Sequence, residues 1–156
     1  MALEVGQKAP EFSLYNSEKN KVNLSDYLGK KVLLLFFPQA FSGICTTELC
    51  SVRDDIGKYE NVDAQVLAIS VDSVNSLNRF KQDQGYNFPM LSDFNKETSR
   101  AYGAIYENWV LDMKGVSKRS AFVIDREGVV QYAEVSESPA DIPNFEAILE
   151  SLSKIA

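Results

Sequence analysis

Two apolar runs constrain this chain more than anything else in it. Val32-Leu33-Leu34-Leu35-Phe36-Phe37 is unbroken, as a strand covered on both faces must be, and Ala64–Val71 is a second such run. Between them Leu49, Val52, Ile56 and Tyr59 recur at i, i+3, i+7 and i+10, which predicts one helix across these positions. Strand, helix and strand in that order make a right-handed crossover with parallel strands. A further helix over about Ser73–Gln84 puts Val74, Leu77 and Phe80 on one side and stops at Gly85.

The last third reads differently. Ser120–Ile124 and Val129–Val135 are strands joined by the short turn Asp125-Arg126-Glu127-Gly128, hence a hairpin. A final helix starting near Asp141 and Pro143 aligns Ile142, Phe145, Ile148, Leu149, Leu152 and Ile155 on one stripe. The order βαβ, helix, ββα predicts an α/β, thioredoxin-like fold with a central mixed sheet flanked by helices. Residues 1–30 and the Phe88–Trp109 segment are an N-terminal extension and an insertion on that core. No linker, repeat or low-complexity tract divides the 156 residues, so residues 1–156 read as one domain.

Composition removes several functions. The net charge of −6 makes nucleic acid and anionic membrane surfaces poor partners. The chain has no histidine, which excludes Ser-His-Asp triads, Cys-His dyads and His-ligated zinc or haem. Its two cysteines, Cys45 and Cys50, are too few for a four-cysteine zinc site or a disulfide framework. No cofactor or metal is expected. The start lacks the basic and apolar regions of a secretory signal, and no apolar run approaches the ~20 residues of a membrane span. A cytoplasmic protein with reduced thiols is the expectation.

The segment Phe36–Cys50 joins the first core strand to its helix, outside the carboxyl end of a strand, where ligands bind in open α/β sheets. With Ser42 as helix cap, Cys45 falls in the first turn, where free N–H groups and the helix dipole favour a thiolate. The competing reading is a small buried core residue.

Here the sequence resembles the peroxiredoxin family. Pro38-x-x-x-Ser42-x-x-Cys45 matches its signature of proline, hydroxyl residue and peroxidatic cysteine, with Glu48 at the acid or amide position three residues on. Val5–Leu14 resembles the family's opening strand, and Lys118–Asp125 the segment bearing its active-site arginine, here Arg119. The resemblance runs from about Val5 to Leu152. Phe41–Cys45 and the Phe88–Asp93 stretch resemble the one-cysteine alkyl hydroperoxidase E type. Cys45-Thr46-Thr47-Glu48-Leu49-Cys50 resembles the bacterioferritin-comigratory, or Q, type, which carries a resolving cysteine five residues on. Ser42 stands where threonine is commoner.

The resemblance implies a thiol-dependent peroxidase that reduces hydrogen peroxide and organic hydroperoxides through a cysteine sulfenic acid. Cys45 would be the nucleophile, Arg119 the cation facing thiolate and departing oxygen, and Ser42 the aligning hydroxyl. Pro38 would wall the site, and Glu48 would hold the guanidinium. Cys50 with a thioredoxin-like reductant, or an external small thiol, would recycle the enzyme. A homodimer would form near Phe41 and Trp109. Each residue also has a plainer reading: Arg119 a solvated strand-end charge, Ser42 only a cap, Pro38 a strand end, Glu48 a first-turn acid, Cys50 a bystander. A thiol–disulfide oxidoreductase, disfavoured by the missing Cys-x-x-Cys pair, and a non-enzymatic redoxin-like binding module are the alternatives.

Overall fold

The apolar run at 31–36 becomes β3 (Lys31–Phe36), with every residue buried. The computed structural model describes residues 3–138 and 140–156. Before β3 come β1 (Ser13–Asn16), β2 (Lys21–Asn23) and a 3-10 turn over Leu24–Tyr27. After it follow α1 (Gly43–Asp54), α2 (Ile56–Glu60), β4 (Ala64–Ser70), α3 (Val74–Gln84), β5 (Met90–Ser92), α4 (Glu97–Ala101) and β6 (Ile105–Tyr106). A 3-10 turn at Val110–Asp112 leads to β7 (Val116–Ser117), β8 (Ser120–Ile124), β9 (Val130–Val135) and α5 (Phe145–Lys154). The main sheet runs in the order β2-β1-β5-β4-β3-β8-β9, and β6 pairs with β7 beside it.

β3 pairs parallel with β4, and β4 parallel with β5. Both crossovers step across the sheet in the same direction, so right-handedness puts α1 and α3 on one face. Period-2 alternation then separates two cores. Leu33, Leu35 and Phe37 meet α1, α3 and α5 residues such as Leu49, Phe80 and Ile148. Val32, Leu34 and Phe36 meet Phe12, Leu24, Tyr102 and Phe122 on the opposite face, where α4 lies. The predicted α/β, thioredoxin-like sheet flanked by helices is what forms.

Three details differ from the sequence reading. The predicted continuous helix through Tyr59 breaks at Asp55, whose backbone leaves the helical region (φ −105°, ψ 16°). Aspartate is poorly suited to a helix interior, and Asp54 and Asp55 sit at the negative end of the α1 dipole. The pattern survives the break because Tyr59 of α2 packs into the same core as Leu49 and Val52. The last helix begins at Phe145, after its cap Asn144, whose side chain accepts the Ala147 N–H at 3.1 Å. Ile142 precedes Pro143, a position biased away from helix, and stays 43% exposed. Finally, the Phe88–Trp109 insertion contributes β5, an integral strand between β4 and β1. Among the described residues, no helix is long and apolar enough to cross a membrane.

Candidate active site

Strand register brings the site together. β3 and β8 pair antiparallel with Phe36 opposite Ser120, so Arg119 lies level with the carboxyl end of β3, where α1 begins. Arg119 also shares its alternation with Ala121 and Val123, which face the α1 side of the sheet. On α1, Cys45, Glu48, Leu49 and Val52 are buried, the i, i+3, i+4, i+7 stripe of a core-facing helix. Ser42 occupies the N-cap position, which puts Cys45 in the first turn, as expected.

The three groups meet in the interior. Arg119 is 2% exposed, and Cys45 and Glu48 are fully buried. Nη2 of Arg119 donates to Cys45 Sγ at 3.3 Å, and Nη1 donates to Glu48 Oε1 at 2.6 Å. One guanidinium therefore spans thiol and carboxylate, a fork-shaped donor set that lysine does not possess. This overturns the reading of Arg119 as a solvated strand-end charge and of Glu48 as a first-turn acid, since the first turn of α1 holds none. Burial pushes the Glu48 carboxyl up to about 7, against the pull of Arg119, and the Glu134 charge adds to the rise. Burial works to lower the proton affinity of Arg119; the negative charges of Cys45 and Glu48 outweigh it and hold the guanidinium above its ordinary value. Glu48 Oε2 is buried with no hydrogen-bond partner among the described residues.

Pro38 is buried, two residues beyond the end of β3. Ser42 departs from the expected cap: its side chain makes no capping bond, and its hydroxyl donates to the Gln39 carbonyl at 3.3 Å. Phe41 is half exposed (52%), adopts a left-handed backbone (φ +68°) and packs its ring on Phe80 at 5.0 Å. Cys50 is half-buried on the flank of α1, with Sγ 3.5 Å from Gln84 Oε1 and 3.8 Å from the Tyr86 hydroxyl. Both thiols are free. Trp109 stacks on Tyr106 with ring centroids 6.1 Å apart, and Gln39 Nε2 donates to Met113 Sδ at 3.0 Å, so this loop reaches the loop before α1.

The sequence reading missed Asp72, two residues beyond β4, whose Oδ2 accepts the Ala40 N–H at 2.8 Å. Its place at the carboxyl end of a central strand was the available signal. Gln84 and Tyr86, the neighbours of Cys50, carried none. Among the described residues, no cluster of three or more Cys, Asp or Glu side chains is arranged to hold a metal ion.

The chain is similar to known proteins over most of its length. The AhpC/TSA family matches residues 5–133. Alkyl hydroperoxide reductase E of Mycobacterium tuberculosis is 41% identical over 138 residues, 86% of this chain and 87% of the relative. A putative peroxiredoxin from the same species is 37% identical over 134 residues, 85% of each. Among solved structures, the peroxidoxin BcpB of M. tuberculosis superposes with a TM-score of 0.87 at 28% identity, covering 99% of both chains. A mutant PrxQ of Xylella fastidiosa superposes with a TM-score of 0.86 at 26% identity, covering 97% of this chain and 96% of the other.

Proposed function

Because the chain belongs to the AhpC/TSA family and is a thiol-dependent peroxidase, we propose that Cys45 is its peroxidatic nucleophile and Arg119 the group that holds the thiolate and the departing oxygen. The observation that carries this is the buried 3.3 Å contact from Arg119 Nη2 to Cys45 Sγ. The thiolate sulfur attacks the terminal peroxide oxygen, the O–O bond breaks, and the second oxygen leaves as water or an alcohol after taking a proton from solvent, while the transferred oxygen keeps its own and Cys45 becomes a neutral sulfenic acid. Fixed guanidinium donors stabilise the charge as it moves from sulfur to oxygen, with no reorganisation at the moment of reaction. Glu48 holds that guanidinium in place through Nη1. Pro38 keeps water from the nascent sulfenic acid, and Ser42 supplies a hydroxyl at the mouth.

Cys50 is the resolving thiol in this reading. Residues five apart in a helix lie about 140° round the axis and ~7.5 Å along it, so their Cα atoms are ~8.7 Å apart. A disulfide needs about 7 Å or less, so the bridge forms only after α1 unwinds. A thioredoxin-like protein then reduces it. Two copies pair through the loops of Phe41 and Trp109, where Phe41, Ile44, Val110 and Leu111 expose apolar side chains. The whole chain acts as one domain, in the cytoplasm.

One equivalent of peroxide followed by intact-mass spectrometry tests both cysteines. Wild type should lose two hydrogens, Cys50→Ser should gain one oxygen, and Cys45→Ser should remain unchanged and consume no peroxide. Peroxide consumption by Cys45→Ser refutes the nucleophile. A wild-type product one oxygen heavier, with Cys50 still alkylatable, refutes the resolving role in favour of an external thiol.

A further inference from the structure

The loop before α1 is held in an unusual way. The residue at the N-cap, Ser42, gives α1 no side-chain cap, and Phe41 before it sits at φ +68°, a conformation that non-glycine residues keep only when their surroundings impose it. What imposes it lies on the neighbouring strand ends. Asp72 Oδ2 accepts the Ala40 N–H at 2.8 Å and the hydroxyl of fully buried Ser70 at 2.6 Å. The Asp72 carbonyl accepts the Ser92 hydroxyl at 2.6 Å, and the Asp72 N–H returns to Ser70 Oγ at 3.2 Å. One residue thus ties the loop leaving β3 to the last residues of β4 and β5.

We propose that Asp72 is a positioning residue for peroxide reduction: through Ala40 it fixes the Pro38–Ser42 loop that leads into the Cys45 turn of α1, and with it the place of the Ser42 hydroxyl. The connection is short. Ser42 donates to the Gln39 carbonyl, the other end of the same peptide group whose Ala40 N–H Asp72 holds. Arg119 reaches Cys45 from β8, on the other side, so loss of Asp72 leaves the Arg119–Cys45 contact standing. The consequence is selective. Peroxide must be aligned against the loop, whereas a small alkylating agent needs only a thiolate.

The experiment measures two second-order rate constants for Cys45 in the same protein, with hydrogen peroxide and with iodoacetamide, in a Cys50→Ser background so that one thiol reports. Asp72→Ala should slow the peroxide reaction by on the order of 10²-fold, the scale of a 1 Å misplacement, and leave alkylation unchanged. Asp72→Asn should recover most of the rate, because its amide oxygen can accept both bonds now made to Oδ2. Ser92→Ala, a milder variant that frees the Asp72 carbonyl without altering the carboxylate, should shift the peroxide rate in the same direction. Wild-type peroxide rates in Asp72→Ala and Ser92→Ala overturn the proposal, as does an equal loss in both reactions or an Asn variant no faster than Ala. The proposal rests on Cys45 as nucleophile. A parent protein inert to peroxide removes that reading, whereas an active parent with unaffected Asp72 variants removes this one alone.

Discussion

Replacing Arg119 by methionine separates what the guanidinium does for chemistry from what it does for the fold. At 3.3 Å from Sγ, a unit positive charge attracts the thiolate by about 5 kcal/mol at an effective dielectric constant of about 20. The Glu48 carboxylate on the other guanidinium nitrogen offsets part of that. Losing one such donor set in a water-poor site typically costs on the order of 10²–10³ in rate, or about 2.7–4 kcal/mol. Arg119→Met should therefore slow the first peroxide step by that factor.

Stability complicates the reading, and a second substitution resolves it. Arg119→Met strands Glu48 in the interior, and breaking a buried pair on one side costs roughly 3–5 kcal/mol. Removing both partners, as in Arg119→Met with Glu48→Leu, should restore most of the stability, since apolar replacement of a whole buried pair is often neutral or better. The peroxide rate should stay low in the double variant. Urea denaturation gives the first quantity and stopped-flow peroxide consumption the second. A double variant that regains both would show that Arg119 serves the fold alone and refute its part in the chemistry.

Two other outcomes follow from the same geometry. Ser42→Thr should be tolerated and Ser42→Ala should lower the peroxide rate while leaving alkylation of Cys45 by iodoacetamide unchanged; equal losses in the two reactions would deny the hydroxyl an aligning role. The Glu48 carboxyl, held at about 7 by burial against an ordinary 4.5, keeps its proton in the folded protein after the unfolded chain has released its own. That contribution to stability is complete below about pH 4.5 and is lost as pH rises to about 7, by up to roughly 3 kcal/mol. Glu48→Gln should flatten the slope of urea midpoint against pH across this window, and an unchanged slope would mean that Glu48 titrates normally.

How much of this was legible depended on whether the signal was local. β3, β4 and β8 read directly from apolar runs because they lie inside the sheet. β5 did not: three residues behind Pro89 show no period, and its place between β4 and β1 comes from tertiary pairing. The break at Asp55 was hidden because α2 resumes with Tyr59 facing the same core. Cys45 and Arg119 stand in recognisable motifs, yet their meeting is a matter of β3–β8 register, which no sequence window contains. Glu48 was half legible. Positions 45, 48, 49 and 52 form one buried stripe, and an acid on such a stripe asks for a buried cation. Asp72 acts on the backbone of Ala40, and a backbone amide has no letter in the sequence.

With Cys45 as the proposed nucleophile and Cys50 as the proposed resolving thiol, helix α1 faces two opposed demands. It must be formed to hold Cys45 against Arg119, and it must be unmade before Cys45 and Cys50 can join. Its dimensions reconcile them. Unwinding from Gly43 through Cys50 leaves only the four residues up to Asp54, about one turn, too short to persist as helix. The segment therefore opens as a whole as far as Asp55, where the backbone is already non-helical, and α2 begins afresh with its own anchor in Tyr59. Opening exposes Leu49 and Val52, each at roughly 1.5–3 kcal/mol, and breaks the Arg119 contacts to both Cys45 and Glu48. The Cys45 contact is the part that chemistry alters. A thiolate holds the guanidinium by charge, whereas a neutral sulfenic acid does not, so oxidation removes one of the forces keeping α1 closed. In that reading the Arg119–Cys45 contact is both what holds the thiolate and one of the ties that oxidation loosens.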